Sequence, residues 1–277
     1  MILDKDTNFV YFSSLLSSYY PNFHKELKNI LESENINHGW LDGTLDVWCR
    51  DYMPLQVTDD SFLHFHYYPD YLLRLVKHRG YITNSIKVEQ KLGLKCNCLN
   101  LIVDGGNVVK TPNSIIITDK IFSENKLPEF EIINILKKQC KVKEVIILPW
   151  ISSVEEYGHT DGIVRYIDNR TVLMTNYHQF EDTKDLADRY MSLLSEYFNV
   201  ITLDYNVSNV DDNSWAYINF LQVGNFILVP VFGIPEDEQA LQQLQCVFPR
   251  SNIKAIRAND VVRDGGALNC ISWNIKI

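Results

Sequence analysis

The sequence predicts an α/β chain of five ββαβ units closed into a pseudo-fivefold ring. Four strand–turn–strand segments recur at near-constant spacing, each is followed by a helical pattern and another strand, and the two chain ends supply the parts of a fifth unit. The four segments are residues 53–67, turning at Asp59-Asp60; 107–118, turning at Pro112-Asn113; 162–175, turning at Asp168-Asn169; and 217–231, turning near Gly224-Asn225. β-Branched and aromatic residues flank turns of the right chemistry in each. The turns are separated by about 53, 56 and 56 residues. Identity between the units is negligible; what repeats is the order and spacing of elements.

The first hairpin is followed by a helical pattern over 71–78 and a strand ending at Val103. After the second come a helix over 129–140 and a strand over 142–148, and after the fourth a helix over 236–247 and a strand over 253–258. The third precedes a helix over 183–198 and a strand over 200–205. In that helix Leu186, Tyr190, Leu193, Leu194 and Tyr197 recur at steps of three and four, with Asp182 placed to cap it. The fifth unit takes residues 267–275 as one hairpin arm and 8–12 as the other, then a helix over 23–31 and a strand near 45–48. Pairing of the terminal strands closes the ring and protects edges that an open array exposes. Residues 1–277 therefore read as a single domain. A doubly wound parallel sheet is the competing fold, but it requires single strands between helices rather than recurrent hairpins.

Composition sets the outer limits. The 277 residues are 46% apolar and 22% charged, with twelve Gly and nine Pro, which is globular usage and argues against disorder, collagen or coiled coil. The net charge of −9 suits a small cation better than a nucleic acid. Asp4, Lys5 and Asp6 stand where a signal peptide needs an apolar core, and no run reaches about 18 uncharged apolar residues, so neither leader nor membrane span is expected. The six cysteines, Cys49, Cys96, Cys98, Cys140, Cys246 and Cys270, are scattered, which reads as reduced thiols in a cytoplasmic protein. Cys96-Asn97-Cys98 reads as two cysteines on one face of a strand, since no second pair completes a metal site; His64-Phe65-His66 reads similarly. No metal or other cofactor is expected.

Polar outliers collect just before or within the hairpins: Asp51 after Trp48-Cys49-Arg50, Asp104 opening Asp104-Gly105-Gly106-Asn107, His159 and Asp161 in Gly158-His159-Thr160-Asp161-Gly162, and Cys270 closing Gly265-Gly266-Ala267-Leu268-Asn269-Cys270. In a ring, such positions converge on one channel mouth although they lie some 50 residues apart. Ionised Cys is a strong nucleophile and His moves protons near pH 7. Carboxylates are not buried side by side unless a cation or protons neutralise them, so three beside a Cys–His pair imply a cationic guest. A guanidinium fits best, because its planar fork pairs bidentately with carboxylates and its central carbon is electrophilic. Each residue also has a structural reading. Cys270 could be a buried apolar thiol, His159 a core histidine, and Asp51, Asp104 and Asp161 turn residues. Trp48 reads as core or stacking face, and Arg50 as a carboxylate partner or a pin between units.

Together these motifs, with Tyr217-Ile218-Asn219-Phe220 and Val229-Pro230-Val231-Phe232, resemble the agmatine deiminase and Porphyromonas-type peptidyl-arginine deiminase family of the guanidine-modifying superfamily. The resemblance runs from about residue 45 to 273, and Asn269 stands where a histidine is common. It implies a five-bladed ββαβ propeller, with Cys270 as nucleophile, His159 as general acid/base, and Asp51 and Asp161 gripping guanidinium nitrogens. Asp104 falls at an acidic position beside the substrate. Trp48, Arg50 and Glu155 (or Glu156) complete the implied substrate wall, and a homodimer is implied as well.

The implied reaction is hydrolysis of a small guanidino molecule, agmatine first, to a ureido product and ammonia through a Cys270 thiouronium. Its rivals are amidinotransfer to an amine, a non-catalytic guanidinium-binding module, and a Cys-His-Asp peptidase or amidase. The last is disfavoured because clustered carboxylates repel a developing oxyanion.

Overall fold

The computed structural model describes residues 1–74, 76–168 and 170–277. Its strands form five three-stranded sheets. β1 (Phe9–Ser13) and β2 (His38–Leu41) belong to the first sheet; β3 (Leu55–Thr58), β4 (Ser61–His66) and β5 (Cys96–Ile102) form the second; β6 (Val109–Lys110), β7 (Ser114–Thr118) and β8 (Glu144–Leu148) the third. The fourth holds β9 (Val164–Tyr166), β10 (Thr171–Met174) and β11 (Asn199–Thr202), and the fifth β12 (Leu221–Val223), β13 (Phe226–Val231) and β14 (Asn252–Arg257). The last strand, β15 (Ser272–Ile275), returns to the first sheet.

One pairing rule holds in all five. The middle strand is antiparallel to its hairpin partner and parallel to the strand that follows the helix. A tight turn can only reverse direction, whereas a helical crossover returns the chain parallel. In the first sheet the hairpin partner comes from the other end of the chain, with Phe9 opposite Ile275 and Phe12 opposite Ser272.

Middle strands are buried on both faces. Ile115 and Ile117 pack with Val57, Leu63 and Phe65 of the second sheet, while Ile116 between them packs with Val164, Val172 and Met174 of the fourth. This is the two-residue period of a strand feeding two cores at once. Phe62 shares a core with Trp273 and Ile275, and Val10 and Phe12 share one with Leu173 and Ile227. Successive sheets thus share apolar cores all the way back to the first. The connecting helices cover these sheets with stripes at steps of four: Phe23, Leu27 and Leu31 in the helix Pro21–Ser33, Ile132, Leu136 and Cys140 in Glu129–Cys140, and Leu186, Tyr190 and Leu194 in Lys184–Ser195.

Four local expectations are corrected. The strand after the first helix is β2, not 45–48, where Asp46 instead accepts the Trp48 N–H and turns the chain into the helical turn Cys49–Tyr52. Gly39 hid β2, since a residue without a side chain breaks the alternation; a Cβ there would lie 2.7 Å from the Tyr11 ring. Over 71–78, helix extends only through Asp70–Leu73 before a 3-10 turn at Val76–Tyr81; the crossing helix is Ser85–Lys91, capped by Asn84. Thr183, not Asp182, stands at the N-cap of Lys184–Ser195, and its hydroxyl donates to Tyr177 O instead of capping. The arm over 267–275 is a strand only in β15; the residues before it form the turn that carries Cys270. The turn expected at Asp168-Asn169 includes Asn169, which lies outside the described residues, as does Leu75 of the 71–78 segment.

Candidate functional site

Each unit delivers its polar residue at the same station, the short turn that leads into the first strand of its hairpin. Asp51 lies in Cys49–Tyr52 ahead of β3, and Asp104 opens the turn Gly105–Asn107 ahead of β6. His159 and Asp161 bracket the start of Thr160–Gly162 ahead of β9, and Cys270 lies two residues ahead of β15. The station ahead of β12, after the turn Asp212–Ile218, belongs to Asn219. Asn219 stands within Tyr217-Ile218-Asn219-Phe220, and its place at the fourth equivalent position is the signal in the sequence that marks it.

These groups meet in a buried cluster. Cys270 Sγ lies 3.7 Å from Asp161 Oδ2 and 3.3 Å from Asn219 Oδ1. His159 Nε2 is 3.2 Å from Asp104 Oδ2, and its Nδ1 is 3.7 Å from Asp51 Oδ1. Asp51 Oδ1 also accepts the Gly106 N–H at 3.0 Å. A Cβ on Gly106 would lie 2.7 Å from that carboxylate oxygen and 2.8 Å from the imidazole, so only glycine allows this approach. Asn269, at the position where a histidine is common, donates its side-chain N–H to Asp161 Oδ2.

Two cavities open onto the cluster. The larger, about 650 Å³, is lined by Cys270, His159, Asp161 and Asn219, with Glu155, Glu156, Asp182, Asp212 and Asp264 around it. The smaller, about 470 Å³, is lined by Cys270, His159, Asp51, Trp48, Tyr71 and Leu72. Tyr157 borders both, and its hydroxyl lies so near Gly265 that a Cβ there would sit 2.5 Å from it.

The electrostatics follow from burial and crowding. Burial, then the Asp161 and Asp51 carboxylates, push the Cys270 thiol well above the ordinary thiol range. Burial alone would lower His159, but the charge of Asp51, the hydrogen bond and charge of Asp104, and Glu155 outweigh it and raise the imidazole to about 10. Asp51 is raised by burial, opposed by His159 and reinforced by Asp104 and Asp161. The cluster thus favours a neutral thiol, an imidazolium and crowded carboxylates.

The remaining candidates divide. Trp48 lines the smaller cavity, held against Gly266, where a Cβ would lie 2.4 Å from its ring. Glu155 lines the larger one and accepts the N–H groups of Tyr157 and His159 at 3.1 and 2.8 Å, so it braces the loop that presents the imidazole. Asp104 reaches His159 and the buried Lys120, at 3.8 Å, and borders neither cavity. Arg50 also borders neither. Its guanidinium donates to Asn269 O at 3.3 Å and Asn274 Oδ1 at 2.7 Å, and its N–H to Cys270 O, pinning the turn that carries the thiol. All six cysteines are free, with Cys96 and Cys98 on one face of β5, and His64 is buried against Glu89. Among the described residues, no group of three or more His, Cys, Asp and Glu is arranged to hold a metal ion, and no helix is long and apolar enough to cross a membrane.

Solved structures with this α/β fold include agmatine deiminase of Enterococcus faecalis, with a TM-score of 0.76 and 16% identity over 99% of this chain and 94% of that one. DDAH from Pseudomonas aeruginosa is more distant, with a TM-score of 0.62 and 13% identity over 97% and 99% of the two chains. Within that class the chain belongs to the Porphyromonas-type peptidyl-arginine deiminase family, whose model matches residues 24–275. A Mycoplasma capricolum protein named "putative agmatine deiminase" is 23% identical over 207 residues, 62% of this chain and 57% of that protein. A Legionella pneumophila protein of the same name is 26% identical over 190 residues, 62% and 55% of the two chains. The chain spans little more than half the length of these curated relatives.

Proposed function

We propose that the protein hydrolyses the guanidinium group of a small substrate, agmatine first, to a ureido product and ammonia through a covalent thiouronium on Cys270. The observation that carries this reading is the convergence of a thiol, an imidazole and the carboxylates of Asp51 and Asp161 on one buried cluster open to a cavity. On this reading the five sheets are the blades of a propeller, residues 1–277 form one domain, and the site lies at one mouth of its axis.

The guanidinium supplies the missing positive charge. Held by Asp51 and Asp161, it presents its carbon to Cys270, and its charge favours the thiolate that burial disfavours, the thiol proton passing to solvent. The sulfur attacks, and His159, already an imidazolium, protonates the departing nitrogen as ammonia. The neutral imidazole left behind then removes a proton from the water that attacks the thiouronium carbon. Collapse expels the sulfur and leaves the ureido carbonyl. The sequence of steps uses no metal or cofactor. Asp104 orients His159 rather than touching substrate, and Arg50 holds the Cys270 turn.

Agmatine is favoured over free arginine because the larger cavity is bordered by Glu155, Glu156, Asp182, Asp212 and Asp264 against Arg263. That wall suits an amine at the far end of the substrate and repels a carboxylate. The test is an ammonia and ureido-product assay over agmatine, arginine and ω-guanidino acids. Equal yields of both products, with agmatine giving the highest kcat/KM, are expected. Binding of agmatine without ammonia release would instead support a guanidinium-binding module.

A further inference from the structure

Asn219 is the one polar residue at the five equivalent stations that the reaction above leaves without a role. Its amide orientation is fixed. Oδ1 accepts the N–H groups of Asn269 at 3.1 Å and Cys270 at 3.3 Å, so this atom is the oxygen and the other the nitrogen. The same oxygen is 3.3 Å from Cys270 Sγ, where it can accept the thiol proton. Nδ2 is buried, in a residue with no exposed surface, and has no hydrogen-bond partner among the described residues. A buried donor left unsatisfied is costly, so a partner that arrives with the reactants recovers that penalty.

The partner's chemistry is constrained by position. The two heteroatoms of one amide are roughly 2.3 Å apart, so Nδ2 lies within about 5.6 Å of the sulfur, at the reacting end of the substrate and not at its tail. Asn219 also lines the larger cavity. A guanidinium has only N–H groups to offer and cannot accept from Nδ2, and neither can the thiouronium nitrogens, whose lone pairs are delocalised. An oxygen bound to that carbon can. Such an oxygen exists only in the second half of the reaction, once water has added.

Resting on the guanidine-hydrolase reading, we propose that Asn219 is a catalytic residue of the second half-reaction, its Nδ2–H donating to the oxygen that becomes the ureido carbonyl. In that step a water O–C bond forms at the thiouronium carbon, and His159 takes one water proton. The resulting hydroxyl passes its proton to the departing sulfur as the C–S bond breaks and its electron pair returns to Cys270, which is left as the neutral thiol. The amide bond to the oxygen strengthens as C=O character develops, which is the form of electrostatic stabilisation that a positioned donor provides. The donor also biases the thiouronium toward water and against an amine, because an amine product again carries no acceptor.

The test compares wild type with Asn219→Ala, which lacks the whole amide, and Asn219→Asp, which keeps the oxygen that holds the Asn269 and Cys270 N–H groups and, as a carboxylate, offers no donor. Each is given agmatine with and without excess methylamine. First-turnover ammonia reports the first half, decay of the Cys270 adduct after substrate removal reports the second, and the ratio of guanidinylated methylamine to ureido product reports the partition. Both variants should slow adduct decay by about 100-fold or more. They should also shift the partition at least tenfold toward the amine. A partition and a decay rate unchanged in a folded variant would overturn the proposal, since a purely structural Asn219 alters neither selectively. If Asn219→Ala does not fold, Asn219→Asp decides. Failure of wild type to release any ammonia defeats the hydrolase reading itself and is seen before any variant is compared.

Discussion

At the scale of residues, the site is organised by what burial does to charge. Three carboxylates and an imidazole share a buried cluster, and burial with the carboxylate charges holds the thiol beside them neutral. Alkylation of Cys270 by iodoacetamide should therefore be slow at pH 7 and accelerate only above the ordinary thiol range, as peptide mass spectrometry would follow. His159 is raised to about 10 from an ordinary value near 6.5. A group raised on folding contributes stability below its unfolded value and loses that contribution as pH rises through its folded one. The difference in Tm between wild type and His159→Gln should thus be widest near pH 6.5 and close as pH approaches about 10. Thermal denaturation across that window, with a constant difference, would contradict the assignment. Residue chemistry was largely legible in the sequence because Cys270, His159, Asp51 and Asp161 are conspicuous polar residues at a repeating register. Asn219 was not, since a neutral amide has no charge to flag it, and Arg50 stayed open because a guanidinium serves equally well as a carboxylate clamp or as a pin for a turn.

Elements carry these residues, and their anchors decide how firmly. Lys120, almost fully buried, donates to Tyr157 O at 2.7 Å and forms ion pairs with Asp70 at 3.0 Å and Glu124 at 3.2 Å, besides approaching Asp104. It thereby ties the turn that carries Asp70 and the loop that carries His159 to the carboxylate that orients the imidazole. Lys120→Met strands the buried Asp104 and the partly buried Asp70 and Glu124 and should cost about 3–5 kcal/mol, with a raised KM in whatever enzyme remains folded. Denaturant unfolding and steady-state kinetics on the same sample check both effects. In the helix Glu129–Cys140, Leu136→Ala leaves a core cavity remote from the site and should cost about 2–5 kcal/mol with KM unchanged, a control for non-specific destabilisation. Elements with long apolar stripes, such as Lys184–Ser195, were plain from sequence because a stripe at steps of three and four has one reading. The strand β2 and the short helix Ser85–Lys91 were not, because a glycine interrupts the first and the second offers only two turns of periodicity.

For the whole molecule, closure is the organising feature. β15 completes the first sheet beside β1, Trp273 donates to Pro54 O at 2.8 Å, Arg50 binds Asn274, and Asn274 donates to Gln222 O at 2.9 Å, so the last strand is gripped from two neighbouring units. Removing residues 272–277 should expose the edge of β1, abolish cooperative unfolding and yield aggregates, as scanning calorimetry and light scattering would report. Cys270 lies two residues before the same strand, so the contacts that complete the first sheet also place the thiol. The spacing of hairpins made this arrangement readable from the sequence, whereas the position of each side chain within the cluster depends on contacts between units that no linear pattern records. The decisive experiment is rapid quenching of the protein during turnover of agmatine, followed by peptide mass mapping. A mass increase equal to agmatine less ammonia, confined to the peptide containing Cys270 and absent from Cys270→Ala, is predicted; turnover with Cys270 unmodified, or with the adduct on another cysteine, would contradict it.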